Sequence, residues 1–471
     1  MPEHYVYNIV DHGADPAGQS KSTTAFARAM DTASRAGGGR VVVPRGTFLT
    51  GPIVLRSHIE LHLQEGATIL FSRDYTDYPL IATDWEGLPD VRCMSPVWGE
   101  DLVNVAITGS GTINGQGEAW RAVKKKKMTA QQWEQLLASG GVLNDAGDVW
   151  YPTRNARDGL KIAQDLRQSG RELRPEDFAP AREALRPNML KLTRCKQVVL
   201  DGPTFTNSPA WNVHLLLCQN VTVRNVTVLN PWWSQNGDAL DIDACRDVTV
   251  EHSLFDAGDD AICIKSGKDE PGRRRGVPCE NIAVRNCTVL HGHGGVTIGS
   301  EMSGGVRNVT VTNCLFRGTD IGLRFKTTRG RGGVVENVDV SNVAMHDIRH
   351  EAISLNMYYF VKDPRPEPVS ERTPVFRTFR FRNITADGAA RAIELRGLPE
   401  MPVENITLEN ARMRSARGAL LSDARDVTLR NLHLQVDEVP AVHAHNVANL
   451  MMQNVTATGP FDPPTGHMGD L

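Results

Sequence analysis

Five segments of this chain repeat one another: "VTVRNVTVLNPWWSQNGDALDID" from Val221, "VTVEHSLFDAGDDAICIKSG" from Val248, "IAVRNCTVLHGHGGVTIGS" from Ile282, "VTVTNCLFRGTDIGLRFKT" from Val309 and "VDVSNVAMHDIRHEAISLN" from Val338. Their starts lie 27, 34, 27 and 29 residues apart. Each reads as strand, a turn at or near an Asn in all but the second, strand, polar loop, strand, and weaker copies occur before and after. β-branched strands in units of this length, with no helical periodicity between them, point to a parallel β-solenoid. A propeller blade would need about 40 residues and antiparallel hairpins. In a solenoid like positions stack about 4.8 Å apart, so that each coil hydrogen-bonds to the next.

The 471 residues are enough for several ordinary domains or one large repetitive one. We read residues 1–471 as a single all-β unit, with a cap region at 1–40 and an inserted excursion at 121–187. In the cap, Ala25, Phe26, Ala29 and Met30 fall on one face of a short helix suited to closing the exposed end of the first coil. The excursion, with "KKKKMTAQQWEQLLASGG" and "GLKIAQDLRQSGRELRPEDF", breaks the repeat with mixed charge and helical spacing. Its Lys124–Lys127 run reads as a solvated face. The formal net charge of −3 provides no field for nucleic acid or a membrane surface, and no apolar run approaches the ~20 residues of a membrane span. The N-terminus has no basic-then-apolar leader pattern, so we expect a cytoplasmic protein unless a leader has been removed. Oligomeric state is not legible.

Eight cysteines form no CxxC pair with zinc-like spacing. Cys195, Cys218, Cys245 and Cys279 precede equivalent strands, and Cys287 and Cys314 share a position in successive units. This is the pattern of small semi-apolar side chains stacked inside a coil, in preference to disulfides or a metal site. His291 and His293 in "HGHGG" have no third ligand nearby and read as turn residues; no metal or cofactor is expected. The glycosylation-like "NVT", "NIT" and "NCT" tripeptides fall where the repeat needs Asn at turns.

Aligning the third strand of each unit places "ALDID" (239–243), "AICIK" (261–265), "GVTIG" (295–299), "GLRFK" (322–326) and "AISLN" (352–356) in one register. Apolar residues hold the second and fourth positions. The third and fifth, Asp241 and Asp243, Cys263 and Lys265, Thr297 and Gly299, Arg324 and Lys326, face away from the core. Asp238, Asp259, Asp260 and His293 lie just before these strands. Stacking would bring three carboxylates, a histidine and two cations to one face across almost 90 residues of sequence. Asp238 and Asp260 share the parity of inward residues, so a bend before each strand is required to turn them out.

"NGDALDI", "GDDAICIKSG", "GHGGVTIGS" and "GLRFKT", in that order, resemble the N-x-D, D-D, G-H-G and R-x-K motifs of the polygalacturonases (glycoside hydrolase family 28). The likeness is tight over about 220–330 and looser, as a repeat pattern, over most of the chain. It implies a right-handed parallel β-helix that hydrolyses α-1,4-linked galacturonic acid in polygalacturonate or oligogalacturonides with inversion. By this resemblance Asp259 is the general acid, Asp238 and Asp260 hold and deprotonate the water, and His293 orients or helps protonate the acid. Asn236 and Asp241 join Arg324 and Lys326 in binding substrate. Three clustered aspartates suit the chemistry, because mutual repulsion keeps one of them protonated. Two cations on one strand face suit a substrate with a carboxylate on every sugar. Gly237 stands where many relatives carry Thr, a departure read as minor, and the excursion suggests exo action by closing one end of the cleft. The alternatives are a calcium-dependent pectate lyase, a non-catalytic carbohydrate-binding solenoid, and a hydrolase for rhamnogalacturonan, whose relatives tend to lose the R-x-K pair.

Overall fold

The computed structural model describes residues 5–360, 365–438 and 440–458; the first four residues of the cap region lie outside them. The chain divides into two compact units, one of residues 1–241 with 256–259 and one of 242–255 with 260–471. The fold is a right-handed parallel β-helix.

In the first unit three stacks of parallel strands build the coils. One runs from Gly39–Val43 through Ile59–Leu63, Val103–Gly109 and Lys196–Asp201 to Gln219–Arg224. A second joins Gly46–Thr50, Ala67–Phe71, Thr112–Asn114, Thr204–Thr206 and Thr227–Leu229. The third joins Ile53–Val54, Val97–Glu100, Leu190–Thr193 and Val213–Leu216. Helix α1 (Thr23–Arg35) buries Ala25, Phe26, Ala29, Met30 and Ala33, and packs on the strands Gly39–Val43 and Ile53–Val54. The face expected from the sequence is the one it buries.

The segment 121–187 leaves the coils after Thr112–Asn114 and returns at Leu190–Thr193. It forms a small antiparallel sheet, helix α2 (Ala130–Ala138), helix α3 (Arg154–Gln168) and a final 3-10 stretch, Pro175–Ala184. Thr129 and Gln132 close a reciprocal capping box at the start of α2. An antiparallel hairpin, Leu80–Trp85 with Leu88–Cys93, stands beside this segment. Its two turn residues, Glu86 and Gly87, have φ of 48° and 79°, the left-handed pair of a tight hairpin turn. Tyr78, Leu80 and Cys93 share a core with Trp120, Ala163, Phe178, Ala181 and Leu185, and Arg167 Nε donates to Asp90 (2.9 Å). The excursion therefore braces the hairpin from behind.

In the second unit Arg246–Glu251, Cys279–Arg285 and Val306–Arg317 begin a stack that continues through Val334–Asn356, Val375–Arg396, Val403–Val436 and Val442–Thr458. Apolar ladders fill it: Val248, Ile282, Val309, Val338, Phe379 and Ile406 occupy one inward column and are each almost wholly buried. Complete burial of each such side chain favours folding by about 1.5–3 kcal/mol. The sequence divides each coil into short strands, whereas here pairing runs on through the corners in strands of up to 34 residues. Asn at left-handed φ makes this possible. Asn313, Asn342, Asn383, Asn410, Asn431 and Asn454 all have φ of 51–56°. From Asn342 onward each amide donates to the Asn of the preceding coil, at 2.9–3.3 Å. All eight cysteines are buried thiols outside any disulfide. Among the described residues no helix is long and apolar enough to cross a membrane.

Candidate active site

Two sets of the sequence-selected residues belong to different units, and each is built by its own coils. In the first unit the loop before Leu240 carries Asn236, Gly237 and Asp238. Buried Asn230 anchors it: its amide donates to the Gly237 carbonyl (3.1 Å) and its oxygen accepts from Ser208 N–H (2.9 Å). Asn212 N–H donates to the Asp238 carbonyl (2.8 Å), tying the loop to the coil before it. The chain bends at Ala239, and again at Ala261 after Asp260, which supplies the bends that strand parity requires. Asp238 and Asp241 are buried. Carboxylate oxygens of Asp238 and Asp259 lie within 4.8 Å of each other, as do those of Asp238 and Asp241.

Gly237 is not interchangeable with Thr in this chain. A Cβ there would fall 2.8 Å from Ser234 Cβ and 2.9 Å from its carbonyl oxygen. Gly258 abuts the same turn, where a Cβ would lie 2.4 Å from the Pro231 carbonyl. The departure from the family motif is thus a local packing requirement, paired with the turn at Pro231–Ser234.

Asn236, at φ 51°, is held from two sides. Arg186 Nη2 donates to its oxygen (3.0 Å), and its own amide donates to Glu86 at the hairpin tip (3.2 Å). Arg186 Nη1 also binds the carbonyls of Pro209 (2.9 Å) and Gln235 (3.1 Å). Burial, with Arg92 nearby, pushes the Arg186 guanidinium down to about 10. Trp85 of the hairpin stacks on Trp211 (6.0 Å between centroids, 12° between planes), and Arg92 lies over the Trp85 ring at 3.8 Å. Lys191 Nζ reaches the hairpin at Thr83 Oγ1 (2.8 Å) and the Asp84 carbonyl (2.7 Å). None of Trp85, Glu86, Arg92, Arg186, Lys191 or Trp211 was singled out from the sequence. The only signal was "EG" between two short β-prone runs, and Glu is a weak left-handed turn residue. The excursion was expected to close one end of the cleft; the hairpin carries the contact to Asn236, with Arg186 at the excursion's end.

In the second unit the expected register holds residue by residue. Ile262, Cys263 and Ile264 pair with Val296, Thr297 and Ile298, which pair with Leu323, Arg324 and Phe325. These pair in turn with Ile353, Ser354 and Leu355. Asp260 is the centre of this set: its two oxygens accept from Arg324 Nη1 (3.0 Å) and Lys326 Nζ (2.8 Å). Burial of Asp260 by itself would raise its pKa, but Lys326, Arg324 and Lys265 reverse that and hold the carboxylate far below its usual range. Lys265 pairs with Glu301 (3.1 Å). Burial likewise acts to raise Glu301, yet Lys265, Lys326 and Arg331 bring it down to about 2. The expected outward positions are not open surface: Lys265 and Lys326 are buried, and the Tyr359 ring lies 4.9 Å from Lys326 Nζ. Gly294 leaves room for Arg324, since a Cβ there would meet the Arg324 Cβ at 3.1 Å.

His293 lies within an 11-residue strand, Thr288–Ile298, and not in the turn expected for "HGHGG". Gly292, at φ 152°, lets the chain stay extended there, and Thr319 and Ile321 of the next coil pair with Gly292 and Gly294. Its Nε2 is 3.9 Å from Asp320. A divalent cation would find paired carboxylates at Asp238–Asp259 or Asp238–Asp241. Asp260 offers it little, because each oxygen already accepts from a cation.

A comparison with known families matches residues 179–457 to the family described as glycosyl hydrolases family 28. A probable polygalacturonase of Vitis vinifera is 28% identical over 426 residues, covering 88% of this chain and 75% of that protein. An exo-poly-alpha-D-galacturonosidase of Dickeya chrysanthemi is 25% identical over 442 residues, covering 91% and 70%. Among solved structures, an exopolygalacturonase from Thermotoga maritima superposes with a TM-score of 0.78 at 33% identity, covering 92% of each chain. With the strand register, the aspartates and the arginine–lysine pair in place, these matches make the chain a member of glycosyl hydrolases family 28.

Proposed function

We propose that this protein hydrolyses the α-1,4 bond between galacturonic acid residues, removing single units from the non-reducing end of polygalacturonate or its oligomers. The observation that carries the reading is the contrast between the carboxylates. Asp260 is fixed as an anion by two cations, whereas Asp238 and Asp259 share a crowded pair whose repulsion favours keeping one proton. A general acid and a general base are what glycoside hydrolysis requires. Asp259 donates the proton to the leaving oxygen, Asp238 takes one from water, and Asp260 stays an anion throughout. Arg324 and the cation-rich strand face draw the substrate carboxylates. Exo action is supported by the exo-acting relatives and by the hairpin and excursion of the first unit.

Inverting enzymes hold their two carboxyl groups about 6.5–9.5 Å apart. The Asp238 and Asp259 oxygens approach within 4.8 Å, which makes stereochemistry the informative test. Incubation with trigalacturonate, followed by NMR at early times, is expected to show free galacturonic acid released first as the β anomer. The Asp259→Asn variant is expected to turn over at least a hundredfold more slowly. Early α anomer would assign retention instead, and an ultraviolet-absorbing unsaturated product would assign elimination.

A further inference from the structure

The column that carries Lys326 does not end there. Lys326 pairs with Asn356, Asn356 with Arg396, Arg396 with Ser422 and Ser422 with His445. Each step is one rung of about 4.8 Å, so Arg396 lies roughly 10 Å along the stack from Lys326, about the length of two linked sugar rings. A cavity of about 600 Å³ opens at this point, lined among others by Tyr358, Arg396, Ser422, Asp423, His445 and Asn446, within the range of small-ligand sites.

Arg396 is exposed and lies over the Tyr358 ring, 4.8 Å from its centroid. Among the described residues no carboxylate pairs with its guanidinium. Four arginines elsewhere on the same coils are matched, Arg377 with Glu336, Arg382 with Asp339, Arg414 with Asp387 and Arg425 with Glu404; among the described residues Arg380, Arg391 and Arg412 are not, and what distinguishes Arg396 is its place in the cavity. The acidic groups at and beside the cavity have their oxygens bonded to other side chains. Asp423 accepts from Asn446 Nδ2 (2.6 Å) and Ser422 Oγ (3.1 Å), and Glu400 is bound by Arg329 (2.6 Å). What remains is a planar cation, held in place by an aromatic ring and free to accept an anion from outside.

We propose that Arg396, supported by Tyr358 and flanked by Ser422 and Asn446, binds the carboxylate of a uronate residue remote from the bond being cleaved. This rests on the galacturonide reading above and extends it to longer chains. Lys326 and Arg396 lie two rungs apart, so the shortest chain that presents one carboxylate to each is a trimer, and the subsite selects for chain length. A neutral or methyl-esterified sugar at this position would lose the contact.

The test compares wild type, Arg396→Ala and Arg396→Lys on digalacturonate, trigalacturonate and hexagalacturonate, with thermal melting to verify that each variant folds. The ratio of kcat/KM on hexagalacturonate to that on digalacturonate is expected to fall about tenfold in Arg396→Ala, through KM, and less in Arg396→Lys. An unchanged ratio would overturn the subsite. Binding separates this outcome from failure of the functional reading: calorimetry with hexagalacturonate compares Asp259→Asn with Asp259→Asn/Arg396→Ala. If wild type cleaves no galacturonide yet Arg396→Ala weakens binding tenfold, the activity is wrong and the subsite stands. Equal affinities would remove the subsite whatever the activity.

Discussion

Asp260 is the carboxylate whose charge is most firmly set by its neighbours. It is 1% exposed, and two cations each hold one of its oxygens. Replacing one cation leaves a buried charge half-compensated, a loss of about 3–5 kcal/mol where the partner is fully buried. The pH dependence follows from the direction of the shift. The folded-state pKa is depressed, so the stabilisation is fully present above the unfolded value and is lost as pH falls through the folded one. In Lys326→Met the Asp260 carboxyl climbs. The acid limb of the kcat/KM profile is then expected to move to higher pH, and the stability lost by the variant relative to wild type to be largest at pH 7 and to shrink as pH falls below about 4, where a protonated Asp260 no longer needs the cation. Matched pH–rate and pH–melting curves check this. A profile that keeps its wild-type acid limb would show that Asp260 needs no Lys326 to stay ionised. Both cations were legible in "GLRFK", as was the alternation that turns them outward. Their bonding to Asp260 was not, because the notion of a substrate clamp assumes free cations, whereas a buried cation first satisfies the nearest buried anion.

At the scale of the element, the asparagine column does for the coils what a turn residue does for a hairpin, repeated at every rung. Asn383 has φ 55°, donates to Asn342 (2.9 Å) and accepts from Asn410 (3.3 Å). Ala at this position would lose both bonds and take on left-handed strain of about 1–2 kcal/mol. Since the column is exposed, the net loss for Asn383→Ala is expected near 2 kcal/mol. Asn383→Gly removes the bonds but not the conformation, so it is expected to lose about half as much. Urea unfolding of the two variants measures the difference, and equal losses would mean that the left-handed corner contributes nothing. The role of Asn was readable from its place in each repeat. The length of the strands was not, because whether pairing survives a corner depends on the neighbouring coil, which one unit of sequence does not contain.

For the molecule as a whole, the mode of attack is the property with most consequence for its substrate. In the first unit the hairpin tip bonds to Asn236 through Glu86, while α3 and the stretch before Leu190 brace the hairpin from behind. If this wall is what limits the enzyme to chain ends, shortening residues 83–89 to a minimal turn will admit internal segments. The wild type is expected to release monomer with little early fall in polygalacturonate viscosity. The shortened variant is expected to give mixed oligomers and a rapid fall at equal release of reducing ends. Identical viscosity curves would remove the hairpin from the account of exo action.

The sequence by itself determined the solenoid, the register of the third strands and the identities of the aspartates, the histidine and the arginine–lysine pair. It did so because a parallel stack repeats the same side-chain environment at each coil, so that position in the repeat is position in space. What only the tertiary structure decided lies where that repetition stops. The hairpin around Trp85 and Glu86, the grip of Arg186 on Asn236, and the clash that makes Gly237 a glycine all join segments that share no register. Their partners are set by packing between non-repeating loops, and no periodicity in the chain encodes such a pairing.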